Sequence, residues 1–286
     1  MAQLTQLKRK IHAIETTKKI THAIRLVSMA SYSKLEKQIN FLKSYQKNIS
    51  YTFSQLLNIQ QSEWTNNILF PNDILDQTPL IIIISSSKGL CGSFNSNLMR
   101  FLEKKLILEN NQKPKFITIG NKAQKEIELK NIGKIILKFN ELSYGSLDDI
   151  GEKITKNIYQ NNGSYSSVSF YNNKLINFFI QRPQKTTLIP MIMDFKNMEE
   201  KNIELDPMWG QKEPVILDFI SEKYIKSSIL DILFQSLISE NASRFLAMDS
   251  SNTNAKKLLE KLTLQFNKSR QGLITREVSE LCANME

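Results

Sequence analysis

Long apolar runs, cysteine and histidine are what this sequence has least of, and over two long stretches it also lacks glycine and proline. The tightest apolar cluster, residues 80–84, is strand-sized, far short of the ~20 residues that cross a bilayer as a helix. The N-terminal MAQLTQLKRKIHAIETTKK is not followed by an apolar h-region or a small-residue cleavage site, and Glu15 speaks against a transit peptide. The chain is therefore expected to stay in the compartment where it is made. The two cysteines, Cys91 and Cys282, stand far apart and form neither a disulfide framework nor a CxxC pair, so both read as reduced thiols. The two histidines, His12 and His22, are ten residues apart on one helical segment, which is not metal-ligand spacing. With no other histidine and no base for Cys91, no nucleophile–base set can be assembled.

Both glycine and proline weaken helices, so their distribution divides the chain. Residues 1–70 contain neither, all seven prolines and eight of nine glycines fall between residues 71 and 214, and only Gly272 lies beyond. This predicts an N-terminal helix over 1–70, an inserted domain over 71–214 and a C-terminal helix over 215–286. A 41% hydrophobic content is enough for a packed core. The net charge of +10 is distributed as +7, +3 and 0 over those three segments. An excess of this kind suits an acidic protein surface, an anionic lipid or nucleic acid.

The first segment carries apolar residues at heptad spacing. Leu4, Leu7, Ile11 and Ile14 begin the series, and Leu35, Ile39, Leu42, Ile49, Phe53 and Leu56 resume it. Between them the heptad positions hold Lys18, Thr21, Arg25 and Ser28, with Ile20, Ile24 and Val27 one residue out of phase. The pattern predicts a local shift of register that turns polar groups toward a partner. In the last segment Ile225, Ile229, Leu233, Leu237, Ala255, Leu258, Leu259, Leu262, Phe266, Ile274, Val278 and Leu281 form the apolar series, thinning between Ser239 and Thr253. Helices this long bury their seams only against each other or a partner. Because the insertion starts and ends at one end of the pair, antiparallel pairing is expected.

The middle alternates in the α/β manner, predicting a mostly parallel, doubly wound, Rossmann-like sheet covered on both faces. Strands are expected at Pro79–Ser87, Lys115–Gly120 and Lys134–Phe139, with helices after Ser93, near Lys122–Lys130 and near Leu147–Tyr159. Two later strands, Ser166–Tyr171 and Leu175–Gln181, would be joined by a turn at Asn172-Asn173. The turn Lys88–Gly92 (KGLCG) lies between strand and helix, where doubly wound folds bind phosphate. It matches neither GxGxxG nor GxxxxGK[ST], so a structural turn and a partner-contact loop stand beside nucleotide binding. The cations Lys8, Arg9, Lys10, Lys18, Lys19 and Arg25 read as a solvated face, a surface for an acidic protein, or a nucleic-acid contact that lacks the interleaved aromatics of single-strand binders.

Three stretches, IHAIETTKKITHAIRLVSMASYSKL, SSSKGLCGSFN and SENASRFLAMDSSNTNAKKLLEKLTLQFNKSRQGLITREVSEL, in this order, resemble the landmarks of the ATP synthase gamma-subunit family over nearly the whole chain. The resemblance implies a long antiparallel coiled coil bearing the inserted α/β domain. It further implies a non-catalytic rotor of a proton-translocating F-type enzyme, with no cofactor or metal of its own. The implied partners are the alpha and beta subunits, whose hexamer receives the helices, the epsilon subunit and the c ring, with no nucleic acid. The implied place is peripheral, on the cytoplasmic face of a bacterial inner membrane. By similarity Ile24 and Arg25 face an acidic loop of beta. Arg244, Arg270, Gln271, Thr275 and Glu277 match hexamer contacts, and Glu213 matches a position near the c ring. The family's C-terminal Gly-Ala pair is replaced by Asn284 and Met285, and the chloroplast cysteine insertion is absent. The rival readings are a nucleotide-binding α/β enzyme and a basic coiled-coil binder of nucleic acid.

Overall fold

The computed structural model describes residues 2–59, 69, 78–109, 114–161, 165–191 and 213–283. Two long helices, α1 (Ala2–Ile59) and α5 (Glu213–Ala283), flank β1 (Thr78–Ile84), α2 (Phe94–Leu108), β2 (Lys115–Ile119), α3 (Asn121–Lys130), β3 (Lys134–Phe139), α4 (Leu147–Gln160), β4 (Tyr165–Asn177) and β5 (Ile180–Ile189). The chain divides into two compact units whose borders fall inside the long helices. One holds residues 1–31 with 244–286, the other residues 32–243.

The larger unit is built on a five-stranded sheet in the order β3-β2-β1-β4-β5. The first four strands are parallel, and β5 pairs antiparallel with β4. Central β1 is almost wholly apolar, as a strand covered on both faces must be. Its alternation sends Leu80, Ile82 and Ile84 to one face and Ile81 and Ile83 to the other. The second face packs on α2 and α3 through Leu98, Met99, Leu102 and Ile127. The first packs on α4 and on half of each long helix, through residues such as Phe53, Ile154, Ile229 and Phe234. Close packing of α4 on α5 depends on Gly151, where a Cβ would lie 2.9 Å from Leu230 Cδ2.

Two linked expectations fail here, the turn at Asn172-Asn173 and the separate strand at Leu175–Gln181, a stretch that instead contains the reversal between β4 and β5. Asn172 and Asn173 make no turn; they lie mid-strand in a continuous β4, both buried. Asn173 Nδ2 donates to the Phe94 carbonyl at 3.1 Å, so a turn-type residue is held in extended backbone by a tertiary hydrogen bond. The reversal comes after Asn177, whose Oδ1 accepts from the amides of Phe179 and Ile180.

In the smaller unit α1 and α5 run antiparallel. Arg25 meets Asp249, while α1 residues back to Glu15 share a cleft with α5 residues forward to Leu259. The expected register shift does not occur. Burial on α1 follows an unbroken 3–4 spacing through Leu4, Leu7, Ile11, Ile14, Lys18, Thr21, Arg25 and Ser28. Thr21 and Ser28 are 7% and 2% exposed, whereas Ile20 and Val27 are 53% and 67% exposed. The seam keeps its geometry and changes its chemistry: polar groups turn toward the partner helix and apolar ones outward. Small hydroxyl residues fit because each returns its hydrogen bond to its own helix, Thr21 to Lys18 O at 3.0 Å and Ser28 to Ile24 O at 2.8 Å. On α5 the seam runs through Met248, Asn252, Ala255, Leu259, Leu262, Phe266, Ser269 and Leu273. Leu258, Ile274 and Val278, expected within it, are exposed instead. The side chain of Leu281 lies outside the described residues.

Candidate functional site

Two places could carry function: the polar stretch of the helix pair and the loop after β1. In the first, Arg25 Nη1 donates to Asp249 Oδ1 at 2.6 Å, and Nη2 lies 3.3 Å from His22 Nδ1. The ion pair is part-exposed on both sides, 26% and 46%, so it joins the helices without sealing them from water. Ile24, half-buried, sits beside it. Around the helix the exposed residues Ile20, Leu26, Val27 and Met29 present an apolar surface.

Further along α5, Arg244 is half-buried, while Arg270, Gln271, Thr275 and Glu277 are all exposed. Positions 270 and 277 lie seven residues apart and 271 and 275 four apart, so each pair shares a face of the helix and the two pairs point in different directions. Ile274 and Val278, exposed apolar residues, lie among them. The Thr275 hydroxyl donates to Gln271 O at 3.0 Å. The structure thus leaves the last four predicted residues exposed as two pairs on different faces of α5, and places Ile24 and Arg25 at the polar seam. Glu213 opens α5, but its side chain lies outside the described residues, as do Asn284 and Met285. Asp249 is the residue that sequence reasoning missed; its only signal was the thinning of the apolar series between Ser239 and Thr253.

The loop after β1 sits at the carboxyl ends of the strands, where the order changes direction and doubly wound folds hold ligands. Here it is tied down from several sides. Ser86 and Asn95 exchange two bonds, Ser86 N to Asn95 Oδ1 at 3.0 Å and Asn95 Nδ2 to Ser86 Oγ at 2.7 Å. Asn95 Nδ2 also lies 3.2 Å from the buried Cys91 sulfur, and Ser243 Oγ of α5 donates to Cys91 O at 3.0 Å. Neighbouring Ser85 Oγ accepts from the Ala123 amide, while Gly120, at φ +89°, lies so close that a Cβ would stand 2.2 Å from Ser85 O. The KGLCG turn is therefore a structural junction between sheet, α2 and α5. Both cysteines are free, Cys91 buried and Cys282 exposed. Among the described residues no cluster of His, Cys, Asp and Glu could hold a metal ion, and no helix is long and apolar enough to cross a membrane.

The profile of the ATP synthase family matches residues 3–286. The ATP synthase gamma chain of Helicobacter acinonychis (strain Sheeba) is 30% identical over 308 residues, covering 100% of this chain and 99% of the relative. That of Janthinobacterium sp. (strain Marseille) is 28% identical over 293 residues, covering 99% and 98%. In fold, the chain is similar to one from the cryo-EM structure of Euglena gracilis mitochondrial ATP synthase, OSCP/F1/c-ring, in rotational state 3. The TM-score is 0.70 at 16% identity, covering 99% of this chain and 94% of that one. With two paired terminal helices, a central α/β sheet and full-length matches to these relatives, the chain belongs to the ATP synthase gamma-chain family, a stalk subunit of the F-type enzyme that is not itself catalytic.

Proposed function

We propose that this chain is the central rotor of an ion-driven ATP synthase, carrying rotation of a membrane c ring to the catalytic sites of an alpha/beta hexamer. The observation that supports this most directly is the inverted chemistry of the helix pair. Between residues 18 and 28 its seam carries the Arg25–Asp249 ion pair and small hydroxyl residues, while Ile20, Leu26 and Val27 face outward. An outward apolar face on a long helix calls for an enclosing partner, and the hexamer's central cavity would supply one. A single chain cannot touch three equivalent sites identically, so each orientation would favour a different conformation at each site, and rotation would move their affinities in turn. An elementary charge crossing ~150 mV supplies roughly 3.5 kcal/mol, so the rotor must carry several such increments without its helices slipping.

On this reading Ile24 and Arg25 meet an acidic loop of the beta subunit. Arg244, Arg270, Gln271, Thr275 and Glu277 meet the hexamer, and charged contacts of this kind can be remade at each step. The inserted α/β domain would sit on the c ring beside the epsilon subunit, with Glu213 near the ring, and the complex would lie on the cytoplasmic face of a bacterial inner membrane. The test is to purify the tagged chain from its native membranes, identify the co-purifying subunits by mass and assay ATP hydrolysis. Recovery of alpha, beta and epsilon with activity supports the rotor; a lone chain that retains nucleotide or nucleic acid overturns it.

A further inference from the structure

We propose that the cleft between α1 and α5 in the smaller unit binds an oligophosphate, the polyanion shared by inorganic polyphosphates and the triphosphate of a nucleotide. The cleft has a volume of about 570 Å³, within the range of small-molecule sites. Lys18 and Lys19 enter it from α1 and Lys256 from α5. Among the described residues none of these three lysines forms an ion pair. Arg25 stands at the same wall, already held by Asp249, and one carboxylate, Glu15, opposes the cations. Nearly buried Asn252 contributes an amide to the lining.

The composition of the wall decides between classes of anion. A protein segment docks through a desolvated apolar anchor, and here Leu259 is the sole fully apolar lining residue. What the cleft offers is several ammonium groups from two helices around one volume. That arrangement rewards a ligand carrying several negative charges within a few ångströms, and gives a single carboxylate little advantage. Ammonium groups bind phosphate oxygens as point charges without a fixed fork geometry, so flexible lysines suit a chain of phosphates. The inference does not rest on the rotor reading, since the cleft lies within one unit of this chain.

The test uses the full chain and isothermal titration with sodium tripolyphosphate, ATP and orthophosphate at constant ionic strength. Lys18→Gln/Lys19→Gln/Lys256→Gln is compared with a control, Lys8→Gln/Arg9→Gln/Lys10→Gln, that removes as much charge from exposed positions of α1 outside the cleft. Helicity measured by circular dichroism confirms that both variants fold, as expected for exposed or part-exposed helix positions. Tripolyphosphate and ATP should bind with similar affinity and orthophosphate much more weakly, with the cleft variant losing at least about tenfold and the control less than about twofold. Equal losses in the two variants would mean diffuse attraction to an adventitious ion only, and would overturn the site. So would unchanged binding in the cleft variant, or tighter binding of a tetra-glutamate peptide than of tripolyphosphate.

Discussion

Removing either partner of the Arg25–Asp249 pair separates two roles that one arginine can play. Its Nη1–Oδ1 distance is 2.6 Å, and neither side chain is sealed from water. Two unit charges about 4 Å apart attract by about 1 kcal/mol at the dielectric of water and about 4 at that of a protein surface. Exposure and the entropy of ordering two long side chains discount this toward the measured range of part-exposed pairs, about 1 kcal/mol or less. A double-mutant cycle with Arg25→Ala and Asp249→Ala, read by urea unfolding of the chain, should therefore give a coupling energy near 1 kcal/mol, about fivefold in the equilibrium constant. In the assembled complex the two single variants should part. Arg25→Ala removes the cation offered to the hexamer and should lower ions pumped per ATP hydrolysed. Asp249→Ala frees that cation and should leave the ratio within about 20% of the parent, a change too small to signal a lost contact. Equal loss of pumping in both variants would refute the contact role and leave the arginine a clasp between helices.

Other expectations test the frame that holds these residues. Gly120→Ala should destabilise the larger unit by at least about 3 kcal/mol, since the residue has φ +89° and its new Cβ would meet Ser85 O; a thermal midpoint near that of the parent would contradict the geometry. Asn173→Ala should cost about 0.5–1.5 kcal/mol in urea unfolding, the net range for one lost hydrogen bond, because Phe94 O, which accepts from Asn173, also belongs to the hydrogen-bond ladder of α2. Burial raises the Asp231 carboxyl above the ordinary carboxylate range, against the favourable bond from Gln235 and the nearby Lys43 and Lys174. A raised acid binds its proton more tightly when folded, so its contribution to stability is lost as pH rises through the folded value. Asp231→Asn should therefore raise the midpoint at pH 7 and flatten the profile between the ordinary carboxylate pKa and the raised one; an unchanged profile would show that the charge is solvated. Val27→Ser, at an exposed position, should change the stability of the isolated chain by under about 0.5 kcal/mol and reduce pumping in the complex, as checked by paired unfolding and vesicle assays.

What the sequence determined by itself is the arrangement in which two glycine- and proline-poor helices bracket an α/β insertion, because such residues are excluded locally from helices and collected in turns. It also determined β3 at Lys134–Phe139 and, within a residue or two, β2, α3 and α4, since these are set by apolar period and breaker residues. Family membership was legible in three motif stretches that span the chain. The tertiary structure alone decided what each buried polar residue does. Asn172-Asn173 reads as a turn by local preference, yet both lie within β4, where Asn173 donates to the Phe94 carbonyl at the start of α2. Thr21 and Ser28 read as a broken seam, yet the helix pair keeps its register and buries them, because a hydroxyl bonded within its own helix can be covered at little cost. Arg25 was legible as a cation at a heptad position; that Asp249 holds it, across 224 residues of sequence, was not. Local pattern fixes elements by their backbone preferences, while the partner of a polar group is chosen by what folding brings near it.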